Sequence, residues 1–442
     1  MNVLGISEGF HDAGVCLLVG KKIHFASHSE RYSRIKYDKW THPNQYSELP
    51  NRGIQLVAYY EKPLCKNLRR LYAGQKWKWP RNSYDFYFSH HESHAAAGYY
   101  TAPFDDCNIL VIDAIGEWDT VSIWDNMRKI KSWKYPYSLG LLYSAITKRI
   151  GLKPNEDEYI TMGMAAYGEP IHDLEFLLWR NNHKGVGNIF PNAKNEDLAA
   201  SIQELYERKL LELVEMCPKK NLIIMGGCAL NCVANSKIEN KNIWIMPSPG
   251  DAGSALGAAA LVFKSKLVWK NPYLGTSIAQ GVSISRVVTE LLTKKVCGIA
   301  NGRAEFGPRA LGNRSLLADP RNNSIKNTVN MIKQRQKFRP FAPAILEEYA
   351  DEYFEGPMNE YMQFVAKAKH DYRSVTHIDG TARVQIVKKD CGSLIRPILE
   401  EWYNKTGCPM LLNTSLNIKG EPMVNTWKDA KNFSRKYNVR VF

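Results

Sequence analysis

Residues 89–100 read SHHESHAAAGYY and place two histidines four positions apart, just before a run of alanines. Ser89 is a good N-cap and alanine is the strongest helix former, so a helix is predicted to begin here. On such a helix His90 and His94 lie on one face, where both could bind one metal ion. The alternative is that they cap the helix or pack in a polar core. The protease pattern H-E-x-x-H does not fit, because its last position holds Ala95.

Two aspartates stand where they could complete such a metal site. Asp113 ends the apolar run NILVIDA (108–114), and Asp251 follows a strand pattern in SPGDAGSALGAAA. Carboxylates at the carboxyl ends of strands face the crevice in which α/β proteins bind ligands. Two histidines with two aspartates suit iron, manganese or zinc with open coordination positions. Helix capping and turn formation are the alternative roles of each aspartate.

Turns rich in glycine supply two further candidates for chemistry. GGCAL (226–230) and GDAGSALG (250–257) would let backbone N–H groups approach a phosphate at a helix start. Together they suggest a nucleotide crevice. In GFHDAG (9–14), His11 beside Asp12 is a candidate general base, and an exposed turn histidine is the alternative.

Cations are concentrated in EFGPRALGNRS (305–315) and IKQRQKFRPFAP (332–343), among glycines and prolines that restrict the backbone. Arginine binds phosphate and carboxylate groups through two parallel hydrogen bonds. These segments are therefore predicted to bind phosphorylated small molecules, with an exposed basic loop as the alternative. TARVQ (381–385) and LLNTSLNIKGEP (411–422) add a further arginine and a polar turn.

Alternating strands and helices must position these residues. NVLGIS, GVCLLVG and KIHFASHS predict three N-terminal strands, and 108–114, 120–125 and NLIIMGG predict further strands. Helices are predicted over 137–151 and 194–217, and also for CALNCVANSKI and SALGAAALVF. KSKLVWKNPYLGTS is typical of a linker, which places a domain boundary near residue 275. No internal repeat is found, and the pattern predicts an α/β fold with mixed sheets.

Composition limits the class of protein. The chain has 442 residues, 44% of them hydrophobic, which is enough for two or three domains. It shows no apolar run of about 18 residues and no signal-peptide pattern, so neither a membrane span nor export is expected. Nine scattered cysteines without C-x-x-C indicate reduced thiols in the cytoplasm. The net charge of +15 favours a polyanionic partner such as nucleic acid, with a solvated basic surface as the alternative.

Many short motifs along the chain resemble one family in their order and spacing. They include FHDAG, SERYSRIK, HHESHAAAGYY, VIDAIGE, MGMAAYG, GGCALNCVANSKI, GDAGSALGAA, EFGPRALGNRSLLADPR, KFRPFAP, TARVQ and NTSLNIKGEP. The family is that of the nodulation-protein-U and antibiotic-biosynthesis O-carbamoyltransferases. The resemblance implies an actin/sugar-kinase-like N-terminal domain over 1–275 that carries a metal and transfers a carbamoyl group. It also implies a YrdC-like α/β domain over 276–442 that makes carbamoyladenylate from carbamoyl phosphate and ATP.

The resemblance also implies roles for particular residues. The matching metal ligands are His90, His94, Asp113 and Asp251, and His11 matches the base that acts on the acceptor hydroxyl. The nucleotide-contacting turn matches Gly226, Gly227 and Asn231. The adenylate-forming site matches Arg309, Lys333, Arg339, Arg383 and Ser415, of which Lys333 and Arg339 are expected to be catalytic. Iron is the expected divalent ion at the ligands, and Mg²⁺ is expected with ATP.

The chain departs from the family pattern at three places. Gln336 replaces the usual glutamate, and Ile160 replaces the usual lysine before the MGMAAYG motif. The sequence also ends early, with NTWKDAKNFSRKYNVRVF as its last residues. These departures bear on the ATP contacts more than on the metal ligands.

The acceptor is predicted to be a hydroxyl group on DNA, for instance on a hydroxymethylated pyrimidine. Segments 66–81 and 127–137 interleave Lys and Arg with Trp and Tyr, which suits phosphate tracking and base stacking. The alternatives are a small-molecule or sugar hydroxyl, a tRNA threonylcarbamoyl-transfer enzyme, and a non-enzymatic metal-dependent nucleic-acid-binding protein. No membrane partner is expected, and the oligomeric state, a homodimer included, is left open.

Overall fold

A computed structural model describes residues 1–49 and 53–442, which separate into two compact units. The first unit comprises Met1–Ser29 and Tyr37–Trp269, and the second comprises Glu30–Lys36 and Lys270–Phe442. The division after Trp269 lies close to the boundary proposed near residue 275. The inclusion of Glu30–Lys36 in the second unit is not evident from the sequence pattern. Within the described residues, no helix has the length and apolar character needed to cross a membrane.

The first unit contains two five-stranded sheets that repeat one strand order. In each, three antiparallel strands form a meander, and two parallel strands extend the sheet from the first strand of that meander. The first sheet runs β3-β2-β1-β4-β5, with β1 (Asn2–Ser7), β2 (Gly14–Val19), β3 (Lys22–His28), β4 (Leu56–Tyr59) and β5 (Phe86–Tyr87). The second runs β8-β7-β6-β9-β10, with β6 (Asn108–Ile112), β7 (Asp119–Asp125), β8 (Arg128–Lys134), β9 (Asn221–Met225) and β10 (Asn242–Trp244).

These sheets confirm the predicted α/β class with mixed sheets, and their repeated strand order agrees with the actin/sugar-kinase-like N-terminal unit that the resemblance implies. The two sheets share one topology although the sequence shows no internal repeat. Strand order and direction depend on the pattern of apolar residues, so two segments can form the same kind of sheet without similar sequences. The predicted strands around NVLGIS, GVCLLVG, NILVIDA and NLIIMGG are all present.

Helices connect and cover these sheets. Helix α1 (Glu30–Ser33) belongs to the second unit. The helices of the first unit are α2 (Pro43–Ser47), α3 (Pro63–Tyr72), α4 (His90–Thr101), α5 (Leu139–Arg149), α6 (Glu158–Met164), α7 (Asn195–Glu215), α8 (Cys232–Asn235) and α9 (Asp251–Phe263). Short 3₁₀ turns cover Ala165–Tyr167, Glu175–Leu177, Asn182–Lys184 and Gly227–Leu230. The single helix predicted for CALNCVANSKI is wrong: Asn231 separates a 3₁₀ turn from the four-residue α8.

The second unit is built on a central sheet with helices on both faces. The sheet runs β12-β14-β20-β15-β19, with β12 (Val296–Ala300), β14 (Arg314–Ala318), β15 (Ala342–Leu346), β19 (Gln385–Val387) and β20 (Met410–Ser415). Side chains alternate between faces: Leu317 packs with α10 (Ile284–Lys294) and α13 (Ile395–Thr406). Leu316 packs with α11 (Ile325–Ile332) and α14 (Trp427–Tyr437).

Smaller elements complete the second unit. Two strands pair as β11 (Tyr273–Ile278) with β13 (Gly302–Glu305), and a three-stranded sheet contains β16 (Phe354–Glu355), β17 (Ala366–Ala368) and β18 (Thr381–Ala382). A 3₁₀ turn (Glu347–Tyr349) precedes α12 (Ala350–Tyr353). Strand β11 lies inside the stretch predicted to be a linker. That prediction is wrong there because buried Tyr273 and Leu274 pack into the unit, despite the prolines and glycines around them.

Candidate metal centre and anion-binding loops

Helix α4 begins where the sequence predicts, and its first two turns carry both histidines. Ser89 is the N-cap, and its backbone N–H donates to the Glu92 carboxylate over 3.3 Å, which stabilises the start of the helix. His90 and His94 are 2% and 0% exposed. Their four-residue spacing brings the two rings to a centroid separation of 4.8 Å.

The two aspartates reach the same place from other elements. Asp113 directly follows β6, and its Oδ1 accepts a hydrogen bond from Gly227 N over 2.9 Å. Asp251 is the first residue of α9. Helix α9 lies close against α4 because Gly257 has no side chain. A Cβ at this position would stand 1.8 Å from the Ser93 carbonyl oxygen.

Four side-chain atoms converge at this place. His90 Nε2 lies 3.0 Å from Asp113 Oδ2 and 3.1 Å from His94 Nε2. Both ring nitrogens lie 3.4 Å from Asp251 Oδ1. One ligand atom from each of the four buried residues falls within 4.8 Å of all the others. Ligands held about 2.0–2.2 Å from one ion stand roughly 3.0–3.5 Å apart, so most of these separations suit a shared ion.

The surrounding hydrogen bonds leave the inner atoms available to an ion. His94 Nδ1 lies 3.0 Å from the Pro249 carbonyl oxygen. A carbonyl only accepts, so Nδ1 carries the proton and Nε2 directs its lone pair into the cluster. Such an outer contact is usual for a metal-bound histidine. Asp251 Oδ2 is buried and has no hydrogen-bond partner among the described residues. The cluster therefore fits a divalent ion such as iron, manganese or zinc.

The cluster needs positive charge because two of its members are buried carboxylates. Burial alone would lower the pKa of His90, but Asp251 and Asp113 outweigh it and raise that pKa to about 9. Burial would raise the pKa of Asp113, but its hydrogen bond with His90 and the charges of His90 and His94 lower that pKa. A proton on His90 and a metal ion therefore compete for the same place.

His11 lies in the turn between β1 and β2, with its side chain 28% exposed. Its Nδ1 is 3.2 Å from Asp12 Oδ2, and Asp12 adopts a left-handed backbone conformation with φ of 51°. Burial lowers the pKa of His11, but Asp12, Asp251 and Asp113 together raise it to about 9. The metal-site carboxylates thus act electrostatically on His11, which suits a group that works beside that site.

The glycine turn at 226–231 supports the metal site through its backbone, and the nucleotide contact of Gly226 and Gly227 stays a prediction. Gly226 has φ of 93°, and a Cβ there would stand 2.1 Å from the Ile112 carbonyl oxygen. Gly227 N donates to Asp113, as described above. The Asn231 side chain caps α8 by accepting from Ala234 N over 3.1 Å.

The amide of Asn231 is also paired with Gln203, with which it exchanges hydrogen bonds of 2.9 and 3.1 Å. These contacts give Asn231 a structural role in addition to the nucleotide-contacting role that the resemblance implies. That role stays a prediction.

The second unit brings together two of its predicted site residues. Lys333 is 4% exposed, and its Nζ donates to Ser415 Oγ over 3.2 Å and to two Asn417 oxygens, each over 2.9 Å. Burial and then the charges of Arg335, Arg339 and Lys36 lower the pKa of Lys333 well below its usual range. Cations thus gather around Lys333, a setting that favours a polyanionic ligand.

The remaining predicted residues of this unit lie on separate loops. Arg309 follows β13 and Arg383 follows β18, and both are half-buried. Arg383 Nε is buried without a hydrogen-bond partner among the described residues. Gln336, where the family has glutamate, has a buried Oε1 that is likewise unpartnered in the described part of the chain.

Two acidic residues beside the metal cluster were not singled out from the sequence. The Glu117 carboxylate accepts from the backbone N–H groups of His90 over 3.0 Å and of Lys62 over 2.8 Å. The Glu61 carboxylate pairs with Lys66 over 2.6 Å, and its other oxygen lies 4.0 Å from His90 Nδ1. Glu117 ends the motif VIDAIGE, which is the one signal that could have found it.

Family models describe most of the chain. The model for the carbamoyltransferase N-terminus matches residues 59–186 and 172–260, and the model for the carbamoyltransferase C-terminus matches residues 288–442. The chain therefore belongs to the carbamoyltransferase family, and it is an enzyme that transfers a carbamoyl group.

Relatives match nearly the whole sequence. An uncharacterized protein from Synechocystis sp. is 32% identical, over 97% of this chain and 93% of its own. Nodulation protein NolNO from Sinorhizobium fredii is 31% identical, over 97% of this chain and 77% of its own. Nodulation protein NolO from Bradyrhizobium diazoefficiens is 32% identical, over 77% and 75%. The first alignment spans 575 positions, more than the 442 residues of this chain, so that relative has internal segments that this chain lacks.

Two solved structures show a distant likeness to part of the chain. The activator of 2-hydroxyisocaproyl-CoA dehydratase from Clostridium difficile, with bound ADPNP, is 17% identical and aligns with 60% of this chain and 95% of its own, with a TM-score of 0.42. HypF from T. kodakarensis is 12% identical over 60% and 48%, with a TM-score of 0.36. Likeness at this level assigns no ligand to this chain.

Proposed function

We propose that this enzyme is an ATP-dependent O-carbamoyltransferase whose two units divide the chemistry. The second unit, in this proposal a YrdC-like domain, makes carbamoyladenylate, and the first transfers the carbamoyl group to an acceptor hydroxyl and releases AMP. Carbamate is a poor electrophile, and adenylation activates it because AMP is a good leaving group. Atom balance requires one water, which releases phosphate from carbamoyl phosphate before the carbamate oxygen displaces pyrophosphate from ATP.

The observation that carries the proposal is the placement of two different sites in two separate units. One is the cluster of His90, His94, Asp113 and Asp251 in the first unit. The other is the buried Lys333 among like charges in the second. Neutral imidazole with carboxylates suits a metal ion, and clustered cations suit a triphosphate with its Mg²⁺.

In the first unit, the four clustered residues would hold a divalent ion, iron by the family resemblance. When bound, such an ion supplies a Lewis acid that polarises a carbonyl group. His11 takes the proton of the acceptor hydroxyl, and Asp12, 3.2 Å from its Nδ1, orients the ring. Glu117 holds the start of α4, and with it His90, through the backbone N–H of His90. The buried position of the cluster keeps water from the reactive carbamoyl group.

In the second unit, Lys333 and Arg339 act on the phosphates as the adenylate forms. Lys333 also ties the turn at 415–417 to the end of α11, so that Ser415 is held beside the cations. Arg309 and Arg383 approach from their separate loops and complete the binding of the nucleotide. Arginine suits this task because its fork donates two parallel hydrogen bonds to one phosphate.

DNA is the acceptor we favour, because a basic and aromatic surface lies beside His11. Trp77 and Trp79 are 45% and 55% exposed. Between them, Lys78 donates to the Gly9 carbonyl over 2.8 Å, in the same turn that carries His11. Exposed tryptophans next to cations are suited to stack on bases while phosphates are neutralised. We call residues 76–81 the tryptophan surface.

The structure corrects one part of this prediction. Lys66 and Arg69, in segment 66–81, are 7% and 4% exposed and face the protein. Lys66 pairs with Glu61, and Arg69 Nε donates to the Glu117 carbonyl over 3.1 Å. These two cations therefore stabilise the surroundings of the metal site and are not available to phosphates.

A sugar hydroxyl is the second candidate acceptor, favoured by an aromatic hollow in the first unit. Its lining includes Trp133, Tyr137, Phe176 and Trp179 together with Glu175, Lys209 and Glu212. Aromatic faces beside carboxylates suit the apolar face and the hydroxyl groups of a sugar ring. Thr120 links this hollow to the metal site, because its carbonyl accepts from Asp113 N and its hydroxyl donates to the Tyr137 carbonyl over 2.7 Å.

The direct test supplies the enzyme with ATP, carbamoyl phosphate and duplex DNA containing hydroxymethylcytosine, then digests the DNA to nucleosides. A nucleoside heavier by one carbamoyl group is expected, together with AMP. An unchanged nucleoside profile alongside carbamoylation of a free sugar would replace the acceptor and leave the transferase chemistry standing. Failure to form AMP with either acceptor would contradict the ATP-dependent route.

A further inference from the structure

The segment Glu30–Lys36, from the motif SERYSRIK, packs into the second unit although it follows the first three strands of the chain. Tyr32 OH lies 2.7 Å from Thr276 Oγ1. Arg34 donates to the carbonyls of Met423 over 2.6 Å and Pro422 over 2.8 Å. These contacts hold the segment against the loops that carry the proposed adenylate site.

Within this segment, Arg31 is buried with most of its hydrogen-bonding capacity unused. It is 3% exposed, and its Nη2 donates to the Gly307 carbonyl over 3.2 Å. Its Nε and Nη1 have no hydrogen-bond partner among the described residues, and Glu30 Oε1 stands 3.8 Å from Nε. A guanidinium has five N–H donors, and burying them unpaired is costly, so a missing acceptor is indicated.

The same unit shows how a buried arginine is satisfied when its role is structural. Arg314 is 0% exposed, and its nitrogens donate to the carbonyls of Asn425, Asn301 and Thr276 over 2.9–3.2 Å. Backbone carbonyls therefore satisfy Arg314, whereas among residues 1–49 and 53–442 the Arg31 side chain donates to the Gly307 carbonyl alone. This difference indicates that the remaining N–H groups of Arg31 donate to a bound ligand.

The charged residues around Arg31 indicate which chemical groups the ligand has. Burial lowers the pKa of Arg31, while Glu30 and Glu305 raise it and Arg34 lowers it. Glu305 Oε1 already accepts from the backbone N–H groups of Leu311, Asn313 and Arg314, which offsets its charge. Its Oε2 is buried and has no partner within the described residues. Free donors on Arg31 and a free acceptor on Glu305 suit a phosphorylated ligand that also bears N–H groups.

We propose that Arg31 binds a phosphoryl oxygen of a substrate of the second unit, at the loop of Gly307 and Arg309. This inference rests on the proposed adenylate-forming function of that unit. Carbamoyl phosphate and ATP share the required chemistry, since each carries phosphate and an NH₂ group. The other end of the segment supports the placement, because Lys36 acts electrostatically on Lys333.

The first test measures binding of inorganic phosphate and of carbamoyl phosphate to the full chain by calorimetry. Arg31→Met is expected to weaken phosphate binding at least tenfold while the unfolding temperature without ligand stays unchanged or rises, because methionine needs no hydrogen-bond partner. Wild-type affinity in this variant, with or without a lower unfolding temperature, would overturn the proposal. Arg373→Met, whose side chain is 76% exposed in the same unit, is the matched control. If Arg31→Met does not fold, Arg31→Lys, which keeps the charge but loses the fork, should still weaken binding.

Steady-state pyrophosphate release separates the two sources of phosphate. A raised KM for carbamoyl phosphate alone assigns Arg31 to that substrate, and a raised KM for ATP alone assigns it to the nucleotide. Unchanged KM values for both would overturn the proposal even though the wild-type enzyme makes adenylate. If the wild-type enzyme releases no pyrophosphate, the proposed function fails, and phosphate binding then decides the role of Arg31 by itself.

Discussion

A single outer hydrogen bond decides what His94 can do. Because its Nδ1 proton is committed to the Pro249 carbonyl, the Nε2 lone pair faces His90 and Asp251 rather than a proton donor. Two imidazole nitrogens 3.1 Å apart between two carboxylates are stable only with a cation or a shared proton among them. The four residues therefore act as one unit, and loss of any member should affect the others.

His94→Ala is expected to remove the bound ion and abolish carbamoyl transfer, because it deletes one of four ligands and leaves a buried cavity. Pyrophosphate release from ATP and carbamoyl phosphate should continue, since that step is assigned to the other unit. Elemental analysis of the purified variant measures the ion, and His370→Ala, at an exposed histidine of the second unit, is the control. Full metal occupancy in His94→Ala would show that the ion, if any, lies elsewhere.

The pH dependence of transfer tests His11 as the base. Asp12, Asp251 and Asp113 raise the pKa of His11 to about 9, and a divalent ion bound to Asp251 and Asp113 would offset two of these three charges. Transfer should therefore accelerate as pH rises and level off with a midpoint below that value. Asp12→Asn removes a charge that raises this pKa, so the rise should move to lower pH. Initial rates across about pH 6–10 measure the midpoint, and Asp371→Asn, exposed in the second unit, should leave it unchanged. A midpoint that Asp12→Asn does not move would remove Asp12 from this role.

Sequence reasoning finds these side chains but not all of their partners. The i, i+4 histidines and the aspartates after strands are visible because helix periodicity and strand ends are local features. Glu117 holds His90 through a backbone N–H across 27 positions, and no local pattern shows such a contact. Arg31 is similar, since only the folded chain shows that it is buried with Nε and Nη1 lacking a hydrogen-bond partner in the part of the chain that the structure describes.

At the scale of elements, small residues determine how closely α4 and α9 approach. The alanines and glycines of AAAG and SALGAAA look in the sequence like helix formers, yet their main effect is on distance. Gly257 faces the Ser93 carbonyl, and Gly98 faces Ile223 and Met225 of β9. This close packing lets Asp251 reach the two histidines.

Gly257→Ala is expected to separate the two helices, because the new Cβ would lie 1.8 Å from a backbone oxygen that cannot rotate away. Such overpacking costs about 1–3 kcal/mol of stability, and it should also weaken metal binding. Thermal unfolding and elemental analysis measure both effects. Gly163→Ala is the matched control, since Gly163 lies in α6 with nothing near its absent side chain. Equal metal content and stability in both variants would contradict this account of the packing.

The strands were predicted more reliably than the connections between them. Strands such as GVCLLV are almost fully buried, so their continuous apolar character is enough to predict them from the sequence. The polar residues and turn formers of 264–277 predict a linker, yet Tyr273–Ile278 pairs with Gly302–Glu305. Pairing with a distant strand overrides local composition, so the local sequence does not show this strand.

At the scale of the whole molecule, the net charge of +15 is distributed between structural and exposed positions. Buried Lys66, Arg69 and Arg314 support the fold and need no partner outside the chain. The charge available to a polyanion is therefore smaller than the total implies. What remains beside His11 is the tryptophan surface, where Lys78 and Arg81 lie 4.6 and 4.0 Å from the Trp40 ring centroid.

This surface leads to the last prediction, which concerns DNA binding by the whole enzyme. If Lys76, Lys78 and Arg81 each neutralise one phosphate, affinity should fall roughly fortyfold between 50 and 200 mM salt. Trp77→Ala and Trp79→Ala should each weaken binding by about 1–3 kcal/mol, the usual worth of one stacked base. Fluorescence anisotropy with labelled DNA measures both effects. Trp179→Ala, at the aromatic hollow, should leave DNA affinity unchanged and would instead weaken a sugar acceptor. DNA affinity that is insensitive to salt and to both tryptophans of the surface would exclude this face as the place where the acceptor binds.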